Sequence, residues 1–392
     1  MLNHASRRAI AIAPGLVFLF LLPTISPAGV INPDISLVGQ PYLTWTDDPG
    51  DPDRLRLRPE IGETEVIFDA ALNPYARGFA TMSIGEDGLA LEEGFFTLNR
   101  GLPLNLALKG GQYRVGFGRL NAVHPHAYPF ADRFGVLAAY LPGEEAFNDV
   151  GLSLSRQFAL PGDGALNLSA DWLQGDVFRI ARVPAGEGDP LVAGGEDDAG
   201  LTRAAWVARA SGFGMLGEQS ALDLGLTATG GTNNVAAGAR SLVFGADAKA
   251  KLWTGSNSYL LLQGELLHLE REDASWDSLS GYATTDVDGT GGYVYADYNW
   301  SRRFNVGASY ERFRVPGTGT SGSGAGAPGG EAGASGDGVE SSIGAFVGLA
   351  LLEETTAFRL DWRHVEPGVG EPFNRVNLRV IWSMGPHKAH QF

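Results

Sequence analysis

From residue 35 onward, apolar and polar residues alternate with period two in segments of about ten residues. In the last segment Val376, Leu378, Val380 and Trp382 share one face, while Asn377 and Arg379 share the other. Leu166, Leu168, Ala170 and Trp172 alternate in the same way with Asn167, Ser169 and Asp171. So do Leu222, Leu224 and Leu226 with Asp223, Gly225 and Thr227, and Phe358, Leu360 and Trp362 with Arg359, Asp361 and Arg363. Successive side chains of a strand point to opposite faces, so each segment reads as a strand with one apolar side. No stretch after residue 30 approaches the ~18 apolar residues that a membrane helix needs. The alternation predicts sixteen strands, over 35–46, 61–72, 74–84, 88–99, 104–117, 149–160, 164–174, 201–211, 219–230, 240–253, 257–270, 290–299, 303–314, 339–351, 355–365 and 374–384.

Such strands suit a soluble sandwich, with one face buried, or a membrane barrel, with the apolar face in lipid and the polar face in a lumen. Three features favour the barrel. Trp45, Trp172, Trp253, Tyr259, Trp300 and Trp382 fall near strand ends, where rings form a girdle at headgroup level. Full charges stand in mid-strand on the polar faces, at Lys109, Asp171, Lys249, Arg359, Asp361 and Arg379. The connections also alternate. Links after even-numbered strands are tight except 212–218, and links after odd-numbered ones are long: 47–60, 118–148, 175–200, 231–239, 271–289, 315–338 and 366–373. The turn at 85–87 is the short exception. The expected fold is therefore all-β, a transmembrane antiparallel barrel of about sixteen strands with short periplasmic turns and long outer loops, spanning 29–392.

The ends of the chain carry addresses. Arg7 and Arg8 precede an apolar run from Ala9 to Leu22, with Ser26 and Ala28 placed for cleavage, so 1–28 reads as a signal peptide. Phe392 closes a tail, 385–392, of the kind handed to the outer-membrane assembly machinery. Gly385 and Pro386 interrupt the alternation there. Export to a Gram-negative outer membrane follows. With no Cys, disulfides, thiolate metal sites and Cys nucleophiles are excluded. A formal charge of −16 gives no basic patch for nucleic acid. Loops 47–60, 175–200 and 271–289 are acid-rich, which serves solvation or cation bridging to lipopolysaccharide. Residues 317–338 are nearly all Gly, Ser, Ala, Thr and Pro, the composition of a mobile outer loop.

Loop 118–148 differs from the others in combining aromatics, His, Arg and acids. A sixteen-stranded lumen is wide enough for water, and an ordered loop folded into it would narrow it. Charged side chains around such a constriction set selectivity. The loop candidates are Arg119, His124, His126, Asp132 and Arg133; the wall candidates are Lys109, Arg114, Arg359, Arg363 and Arg379. Each has two roles open to it, as a filter charge or as a salt bridge bracing the loop. His124 and His126, two apart around Pro125, are also candidate zinc ligands, as are His387 and His390 in the tail. Two His alone fall short of a four-ligand motif.

The stretch Lys109-Gly110-Gly111-Gln112-Tyr113-Arg114-Val115-Gly116-Phe117-Gly118 resembles the phosphate-selective porin O/P group. Gly116 stands where that group has Pro, and Lys109 alone occupies the region of its lysine cluster, so a phosphate filter is not implied. His124-Pro125-His126 with Pro129-Phe130 and Asp132-Arg133 is similar to outer-membrane proteins named zinc-regulated TonB-dependent receptors. Asn32-Pro33-Asp34-Ile35-Ser36-Leu37 and the closing Gly385-Pro386-His387, His390 and Phe392 share that similarity. The resemblance implies a porin-like barrel with a link to metal supply. The first strand begins within ten residues of the expected cut, which leaves no room for a plug domain.

Enzymatic chemistry has little support. His268 has no Ser two residues away, and His364 beside Asp361 and Glu366 only loosely suggests an acid/His site. The reading is a passive channel for small hydrophilic solutes or ions, with the homotrimer common among sixteen-stranded porins. The alternative is a receptor for zinc or a metal complex that uses the His-bearing loop.

Overall fold

The computed structural model describes residues 33–85, 88–143, 145–180, 203–277, 281–317, 338–351 and 355–386. The expected signal peptide at 1–28, most of the Gly/Ser-rich loop and the tail histidines fall outside these residues.

The strands form one antiparallel sheet that closes on itself. Strand β1 comes in two pieces, Asp34–Gly39 and Tyr42–Thr46, separated by Gln40 and Pro41. Pro41 has no N–H to give to a ladder, which accounts for the break. Strand β2 is broken opposite it, into Arg58–Glu60 and Thr64–Ala71, at Gly62 with φ +61°. Gly39 pairs with Thr64 and Tyr42 with Glu60, and the Gln40 N–H donates to the Glu63 carbonyl across the gap at 3.1 Å. The circuit continues through β3 (Ala76–Gly85), β4 (Gly88–Leu98), β5 (Ala107–Arg114), β6 (Asn148–Leu160), β7 (Gly164–Leu173) and β8 (Ala205–Leu216). It runs on through β9 (Ser220–Asn234), β10 (Ala239–Gly255), β11 (Ser258–Asp277), β12 (Gly281–Trp300) and β13 (Phe304–Arg314). Strands β14 (Val339–Leu351), β15 (Thr356–Glu366) and β16 (Phe373–Met384) complete it, and β16 pairs with β1. Counting each broken strand once gives sixteen.

The faces are inverted relative to a soluble protein. Leu226 on the outside is 65% exposed, while Glu265 and Asp297 on the inside are 5% and 1% exposed. An apolar exterior around a polar interior is the membrane-barrel solution, and closure leaves no unpaired edge in hydrocarbon. Trp172 and Trp206 sit opposite each other on the exterior near the long-loop end. Trp253 and Tyr259, expected in the girdle, instead share the parity of Asp247 and Gln263 and so face the lumen.

Several boundaries move from the sequence reading. Residues 103–105 form a 3-10 turn, so β5 is shorter than 104–117. Strand β8 runs to Leu216, which reduces the link 212–218 to a tight turn. The acid-rich segment 271–289 is mostly hairpin, because β11 continues to Asp277 and β12 begins at Gly281. Beyond the bilayer both faces of a strand meet water, so the alternation that reveals a strand disappears there. The link 231–239 contracts to 235–238 for the same reason.

Candidate functional site: the loop inside the barrel

Residues 115–147, between β5 and β6, fold into the lumen and carry the main apolar cluster with them. Val115, Phe117, Tyr128, Phe130, Phe134, Val136, Leu137 and Phe147 are all nearly fully buried. The Phe134 ring stacks on Tyr293 of β12 with centroids 4.1 Å apart. Phe130 meets Tyr295 and Phe346 edge-on, and Phe147 meets Phe178. Each buried aromatic contributes about 1.5–3 kcal/mol of transfer free energy. The loop is therefore packed as a core against the wall that it covers.

Charged wall residues grip the loop by its backbone. On the acid side, Glu265 accepts the N–H groups of Arg119 at 2.7 Å and Leu120 at 2.9 Å. Glu311 accepts the Val136 N–H at 2.7 Å, at the start of helix α1 (Gly135–Tyr140), and Asp361 accepts that of Ala131 at 3.0 Å. On the basic side, Arg359 donates to the carbonyls of His126 and Tyr128. Arg363 donates to those of Asp132 at 2.9 Å and Arg133 at 3.2 Å. Arg379 donates to those of Pro125 at 2.9 Å, Tyr128 at 3.2 Å and Phe130. Buried backbone groups need such partners, and a loop crossing a lumen has no ladder to supply them.

The remaining predicted residues are also placed by contacts. Arg114 is buried and pairs with Glu92 at 2.8 Å. Arg119 reaches across to Asp247 at 2.6 Å and Asp223 at 2.5 Å. Arg133 donates to the Glu145 carbonyl and Asn121, and Asp132 pairs with Arg375 at 3.2 Å. Lys109 lies 4.8 Å from the ring centres of Phe95 and Tyr113. Asp361 and His364 face opposite sides of β15, so they form no acid/His pair.

His124 and His126 enter a cluster of glutamates. A 3-10 turn at Pro125–Ala127 aligns the two rings, whose centroids are 5.8 Å apart. His124 Nε2 lies 2.9 Å from Glu93, and its Nδ1 lies 3.2 Å from both Glu65 and Glu92. His126 Nδ1 lies 2.8 Å from Glu65. The glutamates are the site residues that the sequence reading missed. A signal was present in the consecutive Glu92 and Glu93, one of which would have to lie on the apolar face of a regular strand.

No family model matches the chain. An uncharacterized protein of Aquifex aeolicus is 28% identical over 265 residues, covering 64% of this chain and 53% of that protein. The chain thus matches about half the length of that relative. Among solved structures, the outer membrane channel DcaP of Acinetobacter baumannii superposes with a TM-score of 0.57 at 10% identity, covering 92% of this chain and 99% of that one. The anion-selective porin of Comamonas acidovorans gives 0.54 at 10% identity, with 90% and 100% covered. OprB of Pseudomonas putida gives 0.53 at 11% identity, with 90% and 94% covered. The chain has the closed sixteen-stranded β-barrel fold of these outer-membrane proteins.

Proposed function

We propose that the protein is an outer-membrane channel for passive diffusion of small hydrophilic solutes, constricted by the loop 115–147 and preferring anions. The export signal at 1–28, assembly through the C-terminal segment, contact with lipopolysaccharide and a homotrimeric state belong to the same proposal. The observation that carries it is the uneven cover of the lumen wall. The loop is fastened along β11 through β16, to β2 and to β4, and reaches β9 and β10 through Arg119, whereas polar lumen-facing residues such as Ser155, Ser169 and Lys249 keep solvent access.

Three of the chain's four lysines, Lys109, Lys249 and Lys251, line that uncovered side. Arg119 and Arg209 are matched by Asp223 and Asp247, and the Asp171 carboxylate stands near Lys109. Lys109 and Lys249 together exceed that single carboxylate, and the excess sets the sign of the passage, although the whole chain is at −16. A narrow, low-dielectric passage focuses such a local surplus on the permeating ion.

The test is the reversal potential of the refolded protein in a planar bilayer under a salt gradient. Open steps with an anionic preference support the reading. A cationic preference removes the selectivity, and no steps from a heat-modifiable, inserted barrel remove the channel.

A further inference from the structure

We propose that Glu65, Glu92, His124 and His126 form a buried binding site for a divalent transition-metal ion, of which Zn²⁺ is the best-matched class. The site clamps the inward loop to the barrel wall. It rests on this cluster alone and stands or falls independently of whether the barrel conducts.

A break in strand regularity creates the site. In the pairing of β3 with β4, Thr81 faces Glu93 and Met82 faces Leu91, so Glu92 is an extra residue without a partner. A regular strand would send Glu92 and Glu93 to opposite faces. The bulge turns both inward, and each is 8% exposed. Bulges of this kind re-aim side chains. From β2, Glu65 reaches the same point, and its side chain is 1% exposed. The loop then delivers both imidazoles from one rigid Pro-containing turn.

Donor atoms of Glu65, His124 and His126 lie within 4.8 Å of one another, as do those of Glu63, Glu65 and Glu92. Glu65 Oε2 and His124 Nδ1 are buried and 3.2 Å apart, yet among the described residues neither has a partner in hydrogen-bond geometry. In a tetrahedral site with bonds near ~2.0 Å, neighbouring donors are about 3.3 Å apart. The separations of His124 Nδ1 from Glu65 and from Glu92, both 3.2 Å, fit the edges of such a site.

The surroundings fit as well. Glu93 holds His124 Nε2 at 2.9 Å, which leaves Nδ1 directed at Glu65 and Glu92. A carboxylate behind a ligating imidazole fixes its tautomer and strengthens it as a donor. Glu63, Glu65, Glu92 and Glu93 outnumber Arg114, the guanidinium that pairs with Glu92, so the cluster gains electrostatically from a doubly charged cation. Mixed imidazole and carboxylate donors favour Zn²⁺ and its neighbours over Ca²⁺ or Mg²⁺, which take oxygen.

The test uses the full-length barrel, refolded in detergent from chelator-treated buffer and checked for heat-modifiability. Zn²⁺ is titrated by calorimetry and Co²⁺ by its visible absorption. The expected result is one ion per chain, a tetrahedral Co²⁺ spectrum and a raised melting temperature. Affinity should fall at least tenfold in His124→Ala, and on the order of 10-fold in Glu93→Gln, which leaves the direct ligands in place. His387→Ala with His390→Ala should bind as the wild type does. A correctly folded wild type that binds no Zn²⁺ stoichiometrically would overturn the proposal. Binding unchanged in His124→Ala, or abolished by the tail variant, would overturn it too.

Discussion

The Glu265 carboxylate accepts the N–H of Arg119 at 2.7 Å, from a position 146 residues further along the chain. It also closes the space beside Gly118. A Cβ on Gly118 would lie 1.9 Å from Glu265 Oε2, and Gly118 has φ +60°, where side chains are disfavoured. Gly118→Ala should therefore detach the loop at its first turn and cost ~1–3 kcal/mol from backbone strain alone. A lower melting temperature and noisier conductance would confirm this. An unchanged thermal transition would mean that the loop tolerates the shift.

Arg379 donates to three loop carbonyls from a fully buried position. Arg379→Met keeps much of the side-chain volume but removes the donor to the Phe130 carbonyl, while Tyr128 keeps Arg359 and Pro125 keeps the Tyr128 N–H, at a cost of about 1–3 kcal/mol for the acceptor left unsatisfied. The loop should loosen and single-channel conductance should rise. Lys249→Met, on the uncovered wall, should leave the loop in place and change selectivity only. Equal conductance changes in the two variants would refute this division of roles.

If Lys249 helps set the sign of the passage, Lys249→Glu should move the reversal potential towards cation preference. The wild-type preference should also weaken at 1 M salt, where the Debye length falls to about 3 Å. A preference indifferent to both would place the filter elsewhere.

At the long-loop end, Asp47 accepts the backbone N–H and the side-chain amide of Asn374 and so ties loop 47–57 to β16. Those hydrogen bonds, backbone first, hold its pKa below the ordinary 3.8. The sign follows from linkage: the contribution is complete above 3.8 and is lost as pH falls through the depressed folded value. The protection of the Asn374 amide relative to its intrinsic exchange rate should be high at pH 5 and fall only well below pH 3.8. Loss of protection already at pH 5 would contradict the tie.

Strand number was legible because its signal is local. The alternation through Val376, Leu378 and Val380 needs no knowledge of any other segment, and a lipid-facing strand must display it. Legibility failed where that constraint lapses. Asp273 and Thr285 pair in a hairpin, yet 271–289 reads as loop because both its faces meet water. The bulge at Glu92 was hidden for a related reason, since one extra residue mimics a lapse in pattern. The roles of Arg359, Arg363 and Arg379 were illegible in another way. A mid-strand arginine in a lumen looks the same whether it faces water or a carbonyl more than two hundred residues away.

Sequence alone determined that the chain makes about sixteen strands with apolar exteriors and that the 118–148 segment differs from the other loops. Period-two patterning and loop composition are properties of neighbouring residues. Tertiary structure alone decided that this loop folds into the lumen, that wall charges hold its backbone, and that Glu65 and Glu92 meet His124 and His126. Those contacts join positions 32 to 254 residues apart, and their geometry depends on closure of the barrel, to which the spacing of residues along the chain is blind.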